Sequence, residues 1–292
     1  MNPFDLSGPQ FLVFYIVLGL VVVVVVSVLR RMAESGPVPK LDFSDPYLIA
    51  YLRGGENEAL RVATISLVDR GMLTADDEHL KVKNHVSVDQ VRRPIEKALL
   101  QTFTQSQKAT VIFSDSLLAA SCADYKTTLA RLSLLPDDET TQQRRRRFFL
   151  AFAFLGGVAL LKIIIALSRG RHNIFFLMIL AVVFILVVAK VSHPFRTARG
   201  NALLADLRTL FAALKKRAAS LRPGGATSEV ALLAAVFGLG TLSATAFPYV
   251  SKLYPKATSS SSSSSCGSSC GSSCGSSCGG GGCGGGCGGC GG

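Results

Sequence analysis

Catalytic signatures are missing from this sequence. It holds no P-loop, GxGxxG, HExxH or GxSxG, so the phosphate, dinucleotide, zinc-protease and nucleophile-elbow chemistries built on those spacings have no carrier here. Its four histidines, His79, His85, His172 and His193, are scattered without metal-ligand spacing. His79 and His85 flank a short hairpin and are expected to face solvent. Asp76-Asp77-Glu78 and Asp137-Asp138-Glu139 lack the regular ligand spacing of a calcium loop and read as acidic turns. Cysteine is nearly absent before residue 266: Cys122 stands alone in a helical stretch, where it suits a small core residue. These absences point away from an enzyme.

Long apolar runs are what the sequence has instead. A hydrocarbon core about 30 Å thick needs about 20 apolar residues at 1.5 Å per residue. Residues 11–29, 148–167 and 174–191 meet that length, the first containing six consecutive valines, Val21 to Val26. Lipid offers the backbone no other hydrogen-bond partner, so these runs are expected as transmembrane helices. No Lys or Arg precedes the first run, whereas Arg30 and Arg31 follow it. A cleaved signal peptide carries its charge on the other side, so the run reads as a retained anchor, after a short N-terminus of residues 1–10 on the outside. Lys162 lies inside the second run and is long enough to snorkel to the outer head groups.

The formal net charge of +12 is unevenly placed. Residues 30–147 carry 18 basic and 16 acidic side chains, while residues 190–229 carry eight and two. A nearly balanced soluble segment argues against nucleic acid, whose binding leans on phosphate neutralisation. The surplus sits beside the apolar runs, at Arg30, Arg31, Arg144, Arg145, Arg146, Arg147, Lys215, Lys216 and Arg217. Such flanks follow the positive-inside rule and suit anionic lipid head groups. The expected location is a bacterial inner membrane, multi-pass, with residues 30–147 in the cytoplasm. Arg169 and Arg171, in the turn of the 148–191 hairpin, count mildly against that orientation.

Residues 30–147 read as a small helical domain. Ser44-Asp45-Pro46 is a helix start, and Gly54-Gly55 a stop. A second helix is expected from Glu56 to about Arg70, capped by Gly71. Leu73 to Val82 alternates like a short hairpin. Pro94 opens another helix, and Ser114-Asp115 caps a last one with Leu117, Leu118, Leu129 and Leu132 buried. That order is winged-helix-like. Beyond His193-Pro194, residues 192–229 form a basic amphipathic segment, with Leu203, Leu204, Leu207, Leu210, Phe211 and Leu214 on one side of a helix ending near Leu221. Residues 230–250 are long enough to span but diluted by Gly, Ser, Thr and Pro. A fourth transmembrane helix is expected there, with Tyr249 and Tyr254 in the outer interfacial belt, the alternative being a helix lying along the membrane. The expected fold is thus mainly α: three or four transmembrane helices, a cytoplasmic winged-helix-like domain and a disordered tail.

That tail, residues 258–292, has no large apolar side chain after Ser259 to offset backbone entropy. It carries seven cysteines, at Cys266, Cys270, Cys274, Cys278, Cys283, Cys287 and Cys290. Repeated thiols on a flexible backbone suit a soft metal such as Zn²⁺ or Cu(I), disulfide exchange or covalent modification. Only Cys287 and Cys290 have the CxxC spacing of ordered zinc sites.

Three stretches also resemble a known family. They are Tyr51-Leu52-Arg53-Gly54-Gly55, Leu67-Val68-Asp69-Arg70-Gly71-Met72-Leu73, and the run from Pro194 through Arg199-Gly200-Asn201 to Leu204. Together with the membrane hairpin and the Cys/Gly-rich end, they resemble the TIGR04222-type bacterial membrane proteins, and more distantly the C-terminal half of the DUF2207 membrane proteins. The resemblance runs from about Asp45 to the end. It implies an architecture and no activity. Three functions compete on these grounds. The first is a non-enzymatic scaffold displaying a thiol-rich tail. The second is a membrane-tethered regulator whose domain binds a protein or nucleic acid, with Arg92-Arg93 as phosphate contacts. The third is an accessory subunit of a transporter or envelope complex, packing through Gly156-Gly157.

Overall fold

The computed structural model describes residues 8–37, 39, 45–84, 86–168, 175–217 and 229–259. The tail cysteines, His85, Arg169, Arg171, His172 and the 218–228 connection lie outside the described residues. Among the described residues, three helices are long and apolar enough to cross a membrane. They are α1 (Gly8–Glu34), α6 (Asp138–Ser168) and α7 (Phe175–Ser192). Helix α6 starts ten residues before the apolar run at Phe148, so Arg144 to Arg147 form a helical turn rather than a flank.

The three pack around Phe11, Tyr15, Leu155, Phe184 and Val188. Small residues let them approach. The Phe184 ring lies against Gly19, where a Cβ would come within 2.6 Å of it, and Ala151 and Ala159 are buried on α6. The Tyr15 hydroxyl donates to the Leu155 carbonyl at 3.1 Å. Lys162 Nζ lies 4.5 Å from the centre of the Phe11 ring, a cation–π contact. Gly156 and Gly157 have nothing within 4 Å of their Cβ positions among the described residues.

Between α1 and α6 the chain builds α2 (Pro46–Gly54), α3 (Glu56–Asp69), β1 (Leu73–Asp76), β2 (His79–Val82), α4 (Pro94–Thr102), β3 (Gln107–Lys108) and α5 (Ser116–Arg131). Local chemistry fixes their ends. Asp45 accepts from the Tyr47 amide at 3.0 Å and Asp115 from the Leu117 amide at 2.9 Å, each an N-cap. Gly55, at φ 79°, takes the left-handed turn that lets α3 follow α2 at once. The strands form an antiparallel sheet in the order β1-β2-β3, with Leu73 facing Val82 and Leu80 facing Gln107. Leu118 and Leu129 are buried as expected of α5, but Leu117 is 47% exposed.

After the membrane hairpin the chain re-enters this same domain. Helix α8 (Ala198–Leu210) buries Leu203, Leu204 and Leu207, the first and last of them in the domain core. It gives way to the short α9 (Ala212–Lys216). The amphipathic face expected on the membrane surface is therefore turned inward at these positions, and Leu210 is left outside.

Residues 230–250 do not form a fourth spanning helix, nor a helix along the membrane. They form α10 (Glu229–Phe237), a 3-10 turn at Leu239–Thr241, and the start of α11 (Pro248–Leu253), which α12 (Pro255–Ser259) follows. Nine residues of α10 reach about 13 Å, well short of a bilayer. Val230, Ala231, Leu233, Ala234, Ala235 and Val236 are all buried, packed with α2 and α3 in the core. A helix apolar on every side needs burial, and protein supplies it here in place of lipid. Tyr249 and Tyr254, expected in an interfacial belt, pack on the same core. The core is thus built from two stretches of chain, with the membrane hairpin inserted between them.

Leu233→Ala is expected to cost about 2–5 kcal/mol, the range for emptying a fully buried leucine site. Thermal unfolding of the purified protein measures it. A lipid-facing Leu233 would make the substitution nearly neutral to domain stability.

Candidate functional site at the membrane junction

The domain and the three long helices meet where the chain leaves and re-enters the domain. Thr197 caps α8, its hydroxyl oxygen accepting from the Gly200 amide at 3.1 Å. The same hydroxyl lies 2.7 Å from the Ser133 carbonyl and 2.9 Å from the Leu134 carbonyl. The Thr197 amide donates to Leu134 as well, at 3.2 Å. A Cβ on Gly200 would stand 2.4 Å from that carbonyl oxygen, so only glycine allows the approach. The Phe195 ring lies 3.2 Å from where a Cβ of Gly55 would be. Two of the three stretches that carried the family resemblance therefore touch each other here.

A buried ion pair fastens the long helices to this point. Arg144 Nε and Glu34 Oε1 are 2.7 Å apart, both side chains about 5% exposed or less. Arg144 also donates to the Pro194 carbonyl at 2.8 Å, and Glu34 Oε2 accepts from the Ala198 amide at 3.2 Å. The ends of α1, α6 and α7 are thereby joined through one guanidinium and one carboxylate. Arg30 donates to the Val191 carbonyl, Arg147 to Leu29 at 3.3 Å, and Arg199 to Ser35 at 3.2 Å.

The basic residues expected at a membrane surface therefore divide. Arg144 is buried in the junction, a correction to the surface role read from its position beside an apolar run. Arg30 and Arg147 are half-buried, each donating to a backbone carbonyl. Arg31, Arg145 and Arg146 are exposed. Lys215, Lys216 and Arg217 are exposed at the end of α9, with Lys215 Nζ 5.2 Å from the Phe237 ring centre.

A second group of arginines escaped the sequence reading, because its members are far apart in the chain. Arg53, at the end of α2, pairs with Glu58, which also holds Arg61. Burial lowers the Arg53 pKa from its ordinary value; Glu58 opposes this, while Arg208 and Arg61 add to it. Burial lowers Arg196 too, with Arg208 and Arg53 contributing. Three guanidiniums from α2, the α7–α8 connection and α8 thus repel one another.

Inside the domain several polar groups pair with one another. Tyr47 donates to Glu96 at 2.6 Å, and Arg70 joins the same carboxylate oxygen at 2.8 Å. Burial raises the Tyr47 pKa, with Glu96 adding to it. Arg93 lies 3.3 Å from Asp45 and 4.9 Å from the centre of the Tyr47 ring. Cys122 is buried, and its thiol pKa is pushed up to about 12, mostly by burial and then by Glu56. Such a thiol is a poor nucleophile at neutral pH. No group of three or more His, Cys, Asp or Glu that could hold a metal ion occurs among the described residues. Comparisons with protein-family models, curated proteins and solved structures find no match to this chain.

Removing one partner of a buried pair strands the other. Arg144→Leu is expected to cost about 3–5 kcal/mol, and Glu34→Leu together with Arg144→Leu to recover much of that loss. Thermal unfolding of the two single variants and the double variant reads the coupling. An Arg144 facing lipid head groups would leave all three within about 0.5 kcal/mol of the parent.

Proposed function

We propose that the protein is a non-enzymatic membrane scaffold that holds its thiol-rich tail at the cytoplasmic face of a bacterial inner membrane. The observation that carries this reading is the position of α12. Its Ala257 is buried in the domain core, and the helix ends at Ser259, where the tail sequence begins. The tail then starts on the domain's side of the three long helices. Arg30, Arg31, Arg145, Arg146 and Lys190 cluster at that end of the helices, and positive charge marks the cytoplasmic side. A reducing cytoplasm keeps thiols unpaired, which favours Zn²⁺ or Cu(I) capture, or covalent modification, over structural disulfides. The cysteines of residues 266–290 are the metal-holding set, and the thiolate is the ligand form.

The helix, helix, hairpin, helix order of the domain supports a winged-helix-like reading. Its use as a protein-docking module is favoured over nucleic acid, because Arg93 is already committed to Asp45 and Tyr47.

A Cys122→Ser variant treated with a membrane-impermeant maleimide tests the sidedness of the tail. After a reduction step that frees any oxidised thiols, labelling is expected only once the cells are permeabilised. Labelling of intact cells would put the tail outside and overturn the reading.

A further inference from the structure

Helices α1 and α6 run antiparallel and are hydrogen-bonded at two places. Near one end the Tyr15 hydroxyl meets the Leu155 carbonyl; at the other, Glu34 meets Arg144 and Leu29 meets Arg147. Between these hydrogen bonds the two helices leave a groove of about 270 Å³, with the buried Val26 and Ala151 in its lining. Val22, Val26 and Leu29 form one wall, and Leu150, Ala151 and Phe154 the other. Short valines facing a lone Ala151 do not fill the space between two helix axes. Arg147 closes the domain end and, among the described residues, is the only charged one lining the groove.

We propose that this groove is a binding site for one anionic phospholipid, with an acyl chain between the helices and its phosphate on Arg147. Two observations select that occupant. The lining is aliphatic and aromatic over the length of Val22 to Leu29, about 10 Å of helix, which suits a hydrocarbon chain. Its polar end is cationic: Arg147 donates to the neutral Leu29 carbonyl, and among the described residues no carboxylate lies within ion-pairing distance of it. Glu34, the carboxylate of the last turn of α1, is already taken by Arg144. Arg31 and Arg146 stand exposed on the adjoining turns. A zwitterionic head group brings its own cation to such a place, and an anionic one does not. This site rests on the helices lying in a membrane and is independent of the tail, so its test and the sidedness test fail separately.

The chain has no native tryptophan, which allows a direct assay. A Phe154→Trp protein is reconstituted in phosphatidylcholine vesicles, and brominated phosphatidylglycerol or brominated phosphatidylcholine is added at low mole fraction. Bromine on the acyl chain quenches a tryptophan that it touches. The brominated anionic lipid is expected to quench at about fivefold lower mole fraction than the zwitterionic one, the effect of one basic residue near the surface. Adding Arg147→Gln removes the difference, whereas Arg147→Lys keeps it. Ala151→Phe fills the groove and lowers quenching by both lipids. A Phe176→Trp protein, whose probe is exposed on α7 away from the groove, shows no preference. Equal quenching by the two lipids at Phe154→Trp overturns the proposal. So does a preference that survives Ala151→Phe unchanged, since head-group attraction alone would then explain it.

Discussion

The chain leaves the domain at Leu134 and comes back to it at Thr197, and those two residues are hydrogen-bonded to each other through both the amide and the hydroxyl of Thr197. Between them lie α6 and α7, two helices long and apolar enough to cross a membrane. A hairpin of two helices returns the chain to the side it left, so the insertion costs the domain only a closed loop. Because the closure is tight, α8 and α10 can complete a core that α2 and α3 began more than a hundred residues earlier. Gly200 is the residue on which the approach depends, since any Cβ there would collide with the Leu134 carbonyl.

Charge is placed in two ways around this closure. The Glu34–Arg144 pair is buried, and burying both charges is expensive unless their remaining lone pairs and protons are also satisfied. They are: Arg144 turns to the Pro194 carbonyl, and Glu34 to the Ala198 amide. Such a pair specifies how α1 meets α6 and the α7–α8 connection, where apolar contacts alone would tolerate sliding. Arg31, Arg145 and Arg146, by contrast, remain exposed at the same end of the long helices.

Much of this was legible in the sequence, and the rest failed for physical reasons. Predominantly apolar runs of about 20 residues located α1, α6 and α7, since that is the length a membrane-spanning helix needs. Asp45, Gly55, Pro94 and Asp115 marked ends of domain helices, because capping and left-handed turns are local chemistry. Residues 230–250 misled because a short, wholly apolar helix has the same composition whether protein or lipid covers it. Only its partners, Ala50 and Leu52 of α2 and Ala59 and Ala63 of α3 in the same core, distinguish the two. Arg144 misled in the same way. Four consecutive arginines look alike in sequence, and only the position of Glu34 makes the first one structural. The grouping of Arg53, Arg196 and Arg208 and the groove beside Arg147 depend on contacts between distant segments, which periodicity does not report.

The most direct measurement of the two-part domain is a crosslink between its halves. Lys252 of α11 pairs with Asp77 at 2.7 Å, beside Asp76 at the end of β1. Asp76→Cys and Lys252→Cys are placed in a protein whose Cys122 and tail cysteines are all serine, and a short bis-maleimide is added to membranes. Efficient crosslinking within one chain is expected. Two cysteines that react singly, from opposite sides of the membrane, and never become joined would show that residues 230–250 span it and that the domain has no second half.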